Sequence, residues 1–219
     1  LSRRLSPAAR IYQARTAVLR NNLSNAAVNT FRRMPSWDDP NALAVPMARL
    51  STQAQQTQAR LLTSTASLIN GSRVDLPNLN DVTGDVIRDG DIVESWRMPM
   101  YSLWSALGGG MDQGELEAQG ERSVQVQAVT DLSYSQRDTM QAIAADSGND
   151  IVGYWRVPDE GSACDFCVTI ADRLYYAEDL MPVHPNCNCS VEPATRESAS
   201  GGGHGVGVGG FRGDQSAEA

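Results

Sequence analysis

The chain has 219 residues, a formal charge of -8, 41% hydrophobic residues and only 6% aromatics. That length allows one moderate or two small domains, and the wealth of Gly, Ser, Asn and Gln speaks against a single large apolar core. No run of eighteen apolar residues is present to cross a bilayer, and the basic start is too polar for a signal peptide.

Charge is distributed unevenly. Residues 1–33 hold Arg3, Arg4, Arg10, Arg15, Arg20, Arg32 and Arg33 with no acid, which leaves eleven arginines against all 26 acids in the remainder; there is no lysine. Interleaved with Tyr12, Leu19, Leu23 and Phe31, these arginines suit docking on an acidic protein surface. Contact with a phosphate backbone and an ordinary solvated helix face are the alternatives.

In chain order, Ser6-Pro7 reads as an N-cap followed by proline at the first helical position, and Tyr12, Leu19, Leu23 and Ala26 recur at helical spacing to about residue 33. Pro35, Asp38, Asp39 and Pro40 mark a turn. Met47, Leu50, Ala54, Leu61, Thr65 and Leu68 trace a second apolar stripe that ends at Asn70-Gly71. The two read as long helices in an antiparallel pair, with Gln-, Thr- and Ser-rich faces compatible with packing on neighbouring subunits. Residues 72–95 read as a connector. A short helix is expected after Pro99, with Met100, Leu103, Trp104 and Leu107 on one face, closed by Gly108-Gly109-Gly110. Residues 113–129 predict another helix, and Ser133 or Ser135 a cap for a further one through Met140, Ile143 and Ala144. The acids of this middle region read as a solvated surface, and Trp96, Trp104 and Trp155 as packing residues.

The period changes at residue 151, where Ile151, Val152, Tyr154, Trp155 and Val157 form a β-rich run. All four cysteines and one of the two histidines follow within 26 residues: Cys164-x2-Cys167, sixteen residues, then His184-x2-Cys187-x-Cys189. Two-residue gaps let a tight turn aim both sulfurs at one tetrahedral zinc. Cys164, Cys167 and His184 are the firmer ligands, and Cys187 and Cys189 compete for the fourth place. Two disulfides, reduced structural thiols or a redox Cys-x2-Cys pair are the other readings. A module of this size builds little core, so a metal would be structural and would supply folding free energy. From residue 194 onward a glycine-rich tail follows, without the Lys-Ser/Thr end of a phosphate loop.

The expected class is therefore α+β: an extended, mostly helical N-terminal part and a small C-terminal strand-and-loop module stapled by the Cys/His cluster. The expected divisions are 1–71 (long helices), 72–150 (connector and helices), 151–193 (Cys/His module) and 194–219 (tail).

Trp155-Arg156, Asp159, Cys164, Cys167, Pro182, His184, Pro185, Asn186, Cys187, Asn188 and Cys189 together resemble the C-terminal motif of the MuF-like minor head proteins of tailed phages, with Asn188 where that family usually has arginine. The resemblance covers about 40 residues. It implies a virion component inside the capsid near the portal vertex, in the host cytoplasm during assembly, associated with the portal protein and other capsid subunits and acting in head morphogenesis or DNA packaging. Contact with packaged DNA would be nonspecific. Some members of that family are described as capsid maturation proteases, and a metal-dependent hydrolase using Asp159, Glu160, Asp165 or Asp172 is the enzymatic alternative. A thiolate-rich site filled by three Cys and one His leaves no open coordination position, and no H-E-x-x-H is present, so no residue is expected to be catalytic. A DNA-binding protein acting through the basic first helix is the third reading. In residues 151–193 only Arg156 and Arg173 are basic, which disfavours a zinc-based nucleic-acid reader.

Overall fold

A computed structural model describes residues 5–85, 90–159, 165–171, 173–179, 181, 183–185 and 187–201. It is an α+β fold in which a helical N-terminal region carries a small antiparallel sheet.

Helix α1 (Pro7–Arg32) starts as its sequence dictates: the Ser6 side chain accepts from Ala9 N, and Pro7 occupies the position where a missing N–H costs nothing. Helix α2 (Asn41–Asn70) is entered through Asp39, whose carboxylate accepts from Asn41 N, and stops at Gly71 in the left-handed region at φ +72°. A single turn, α3 (Leu79–Val82), lies within the expected connector.

Two helices differ from expectation. Helix α4 (Ile92–Gly108) begins seven residues before Pro99, because the Asp91 side chain caps Val93 N and because Trp96, Pro99, Met100 and Leu103 form one continuous buried face. That burial outweighs the hydrogen bond and steric freedom lost at an internal proline, a cost of about 3 kcal/mol. Helix α5 (Gln113–Ala145) is one helix of 33 residues. Ser133 and Ser135 do not cap a second helix. No Gly or Pro interrupts residues 121–145, and both hydroxyls instead find partners outside the helix: Ser135 Oγ donates to Val82 O and Ser133 Oγ to Cys187 O.

Leu23, Phe31, Leu43, Met47, Trp96 and Leu132 belong to the core shared by α1, α2, α4 and α5. The second stripe is only partly as expected: Met47, Ala54 and Thr65 are buried, whereas Leu50 and Leu68 face outward. The polar residues of α2 also turn inward. Ser51, Gln55, Gln58, Thr63 and Thr65 are buried within this chain, not presented to neighbours. Ser51 Oγ donates to Asp131 Oδ2 at 2.8 Å, and Gln127 Nε2 to Asp131 Oδ1 at 3.1 Å, so one of the middle acids sits fully inside the bundle instead of on a solvated surface. A buried carboxylate persists only when donors surround it in this way.

Strands β1 (Ile151–Val157), β2 (Leu174–Tyr176) and β3 (Ser190–Thr195) form an antiparallel sheet in the order β2-β1-β3, with helix α6 (Asp165–Thr169) between β1 and β2 and helix α7 (Arg196–Gly201) after β3. Pro193 is tolerated because β3 is an edge strand. The sheet does not stand apart. Ile151, Tyr154, Tyr175, Met181 and Val191 share a core with Tyr12, Leu62, Ala66, Met140 and Ile143 of the helices. Burying each such side chain contributes roughly 1.5–3 kcal/mol, so a module cut at residue 150 would expose the side of the sheet on which its stability depends. Ser6 N, at the start of α1, donates to Glu192 Oε1 in β3 at 3.0 Å, joining the two ends of the described chain.

Candidate metal centre

The cluster is assembled by two pieces of short or irregular structure that the sheet brings together. Cys167 lies in α6, and His184, Cys187 and Cys189 lie on the segment that leads into β3. Cys167 Sγ, a ring nitrogen of His184 and Cys187 Sγ all lie within 4.8 Å of one another. Tetrahedral zinc, with Zn–S near 2.3 Å and Zn–N near 2.0 Å, places its donors roughly 3.5–3.8 Å apart. The donor types and spacing fit that ion. Two thiols and an imidazole, largely out of water, would hold a structural zinc, and the chemistry it would supply is cross-linking: α6 tied to the segment before β3.

His184 is oriented for this role. Its Nδ1 is 2.9 Å from Pro185 O, and since a carbonyl only accepts, Nδ1 carries the proton and Nε2 keeps its lone pair, 3.0 Å from Cys167 Sγ. The Phe166 ring stands edge-on to the imidazole at 5.9 Å and restricts its swing.

The two competing cysteines are separated by geometry. Cys187 is the one whose sulfur joins the donor group. A hydrogen bond from Cys189, with the charge of Arg156, holds the Cys187 thiol well below its ordinary pKa against the opposing effect of burial. Cys189 moves the other way, raised first by its bond to Cys187 and then by burial. Cys187 is thus the sulfur placed to bind, and Cys189 its hydrogen-bonded neighbour. Cys167, Cys187 and Cys189 are free thiols. Cys164 lies outside the described residues, as do Glu160, Pro182, Asp172 and Asn186.

Arg156, on β1, is buried at 1% exposure beside the sulfurs: Nη2 is 3.0 Å from Cys187 Sγ and 3.4 Å from Cys167 Sγ. Burial disfavours its charge, but the hydrogen bond to Cys189 and the attraction of Cys189, Cys187 and Cys167 outweigh that and keep the guanidinium firmly charged. It supplies positive charge where thiolates accumulate.

The helices grip the same segment through its backbone. Ser133 Oγ donates to Cys187 O at 2.7 Å, Arg20 Nη1 to Asn188 O at 2.6 Å, and Arg20 Nη2 and Gln136 Nε2 to Cys189 O at 2.7 and 3.2 Å. Tyr12 OH in turn donates to Gln136 Oε1 at 3.0 Å. Three successive carbonyls are therefore satisfied by α1 and α5.

This corrects one of the expected docking residues. Arg20 is 6% exposed and spends its guanidinium inside the protein, because Tyr12, Thr16, Arg20, Leu23 and Ala27 share the inward face of α1. Arg32 makes a bidentate pair with Glu121 at 2.6 and 2.8 Å on the surface. Arg10, Arg15 and Arg33 are exposed, and Arg3 and Arg4 lie outside the described residues. Position on the helix could have marked Arg20, since it is eight residues beyond Tyr12. Ser133 and Gln136 carried no signal that distinguished them from other polar residues of α5.

Fold and cluster together define an α+β protein whose thiol–imidazole cluster, spaced to hold a metal ion, is part of the packed core. The chain belongs to the VG15 protein family, whose profile matches residues 9–206. No curated protein and no solved structure matches it.

Proposed function

We propose that this protein is a structural minor component of a tailed-phage head, of the MuF-like kind, associated with the portal and other capsid subunits and acting in head morphogenesis or DNA packaging. It would reside inside the capsid near the portal vertex after assembly in the host cytoplasm. The observation that carries this reading is the use made of the cysteine segment: three consecutive carbonyls are held by Ser133, Arg20 and Gln136, while its donor atoms face the Cys167–His184–Cys187 cluster. Such a site is built to fix a segment in place. In the motif that resembles the MuF-like proteins, the metal is a staple and no residue acts as a nucleophile or general base.

A hydrolase or maturation protease would need a coordination position open to water. With Cys164 as a fourth ligand, the proposed set of three thiolates and one imidazole fills all four. The DNA-binding alternative draws on α1, and the inward commitment of Arg20 removes one cation from any phosphate-contacting row.

The test is association. The tagged protein, expressed during phage assembly, is expected to copurify with the portal protein and with intact heads, and heads assembled without it should be defective. Absence from purified heads and from portal complexes would refute the reading, and a salt-sensitive DNA affinity lost on deletion of residues 1–33 would favour the third.

A further inference from the structure

Along the seam between α1 and α2 runs an apolar groove of about 350 Å³, lined by Ala14, Val18 and Leu19 from one helix and Thr57 and Leu61 from the other, with Arg15 on its wall. Its neighbours continue the same character: Ile11, Val18 and Leu68 are 55%, 60% and 73% exposed. The helices are antiparallel, since Tyr12 shares a core with Leu62 and Ala66 near one end of the pair and Leu23 with Leu43 and Met47 near the other. Leu68, Ile11, Leu61 and Val18 consequently follow one another along the seam. At 1.5 Å per helical residue, the span from Ile11 to Asn22 is roughly 17 Å, room for about three turns of a helix laid against it.

Charge narrows the occupant. Neither α1 nor α2 contains a single Asp or Glu, while Arg10, Arg15, Arg49 and Arg60 are exposed on them, in a protein whose net charge is -8. An apolar floor with Arg15 on its wall, between two helices that carry arginines and no acid, favours an amphipathic helix whose apolar stripe is flanked by carboxylates over one flanked by lysines. We infer that this groove is the docking site for an acidic amphipathic helix of a partner protein. The inference deepens the docking part of the proposed function by stating where the partner sits and what its surface carries.

The full-length protein is titrated with two fluorescent helical peptides that share one leucine stripe, one flanked by glutamates and the other by lysines, and separately with duplex DNA and with vesicles of anionic lipid. The glutamate peptide is expected to bind at least about tenfold more tightly than the lysine peptide. Val18→Glu, at an outward-facing position that leaves the fold intact, should weaken it at least tenfold, and Arg15→Glu combined with Arg60→Glu should invert the preference between the peptides. Equal binding of both peptides, or binding indifferent to Val18→Glu, overturns the inference. So does a Val18-dependent self-association in sedimentation, which makes the occupant a second copy, or binding of DNA or vesicles in place of the glutamate peptide. Portal copurification is scored separately: its failure with peptide binding intact refutes the phage-head reading alone, and the reverse refutes the groove alone.

Discussion

Arg20 Nη2 in α1 donates to Cys189 O at 2.7 Å across 169 residues of sequence, so an early helix holds the segment on which the last cysteines lie. A buried cation is costly to desolvate, and it is retained here because two carbonyls, Asn188 O and Cys189 O, accept from it.

Arg20→Met keeps an apolar stem and removes both bonds. A hydrogen bond to a charged group contributes about 1.5–3 kcal/mol, and a carbonyl left without a donor costs about as much as it loses. Against the relief of burying a cation, the expected net loss is about 2–4 kcal/mol, read as a lower midpoint in urea unfolding with an unchanged slope. Zinc affinity should fall in the same variant, because the ligand segment is no longer held.

Cys187 and Cys189 should separate cleanly in metal titrations. Cys187→Ser removes a ligand and should abolish stoichiometric zinc binding. Cys189→Ala removes a supporting hydrogen bond and should retain one zinc per chain with affinity reduced about tenfold or somewhat more, the usual scale for an outer-shell partner. Competition with a chromophoric chelator measures both.

Gly120 offers a different test. A Cβ at this position would lie 2.2 Å from Phe31 Cζ, and Phe31 is itself buried against Trp37. Gly120→Ala gains about 1 kcal/mol of helix propensity, yet the overpacking costs about 1–3 kcal/mol. A thermal midpoint at or below that of the wild type is expected, where an open helix surface would give an increase.

Tyr12→Phe isolates the outer end of the clamp. It deletes the donor to Gln136 Oε1 without changing shape, and a loss of about 1 kcal/mol is expected from chemical denaturation. The double variant with Gln136→Leu should lose less than the sum, because the two groups share one network.

Local signals carried far in this chain where one residue type decides the matter. Ser6-Pro7 and Gly71 mark the start of α1 and the end of α2, the β-branched and aromatic run marks β1, and the Cys/His spacing marks the cluster. Legibility failed where tertiary partners set the outcome. Asp91 and the burial of Trp96 begin α4 ahead of Pro99, and Ser133 stays helical while its hydroxyl reaches Cys187 O. Arg20 looks like Arg10, Arg15, Arg32 and Arg33 in composition and differs from them in the face it occupies. The polar residues of α2 were ambiguous for the same reason: Gln55 Oε1 accepts from Gly84 N, a partner 29 residues away that no local pattern reveals.

The central claim is that the Cys167–His184–Cys187 cluster binds one structural zinc that stabilises helices and sheet as a single unit. Native mass spectrometry of the full chain under nonreducing conditions, with and without a strong chelator and paired with thermal unfolding, tests it most directly. The account predicts one zinc per chain, removed by chelation, and a single unfolding transition that moves to lower temperature when the metal leaves. A chain that carries no metal and has lost the hydrogens of paired thiols, or one whose unfolding is unchanged by chelation, would contradict it.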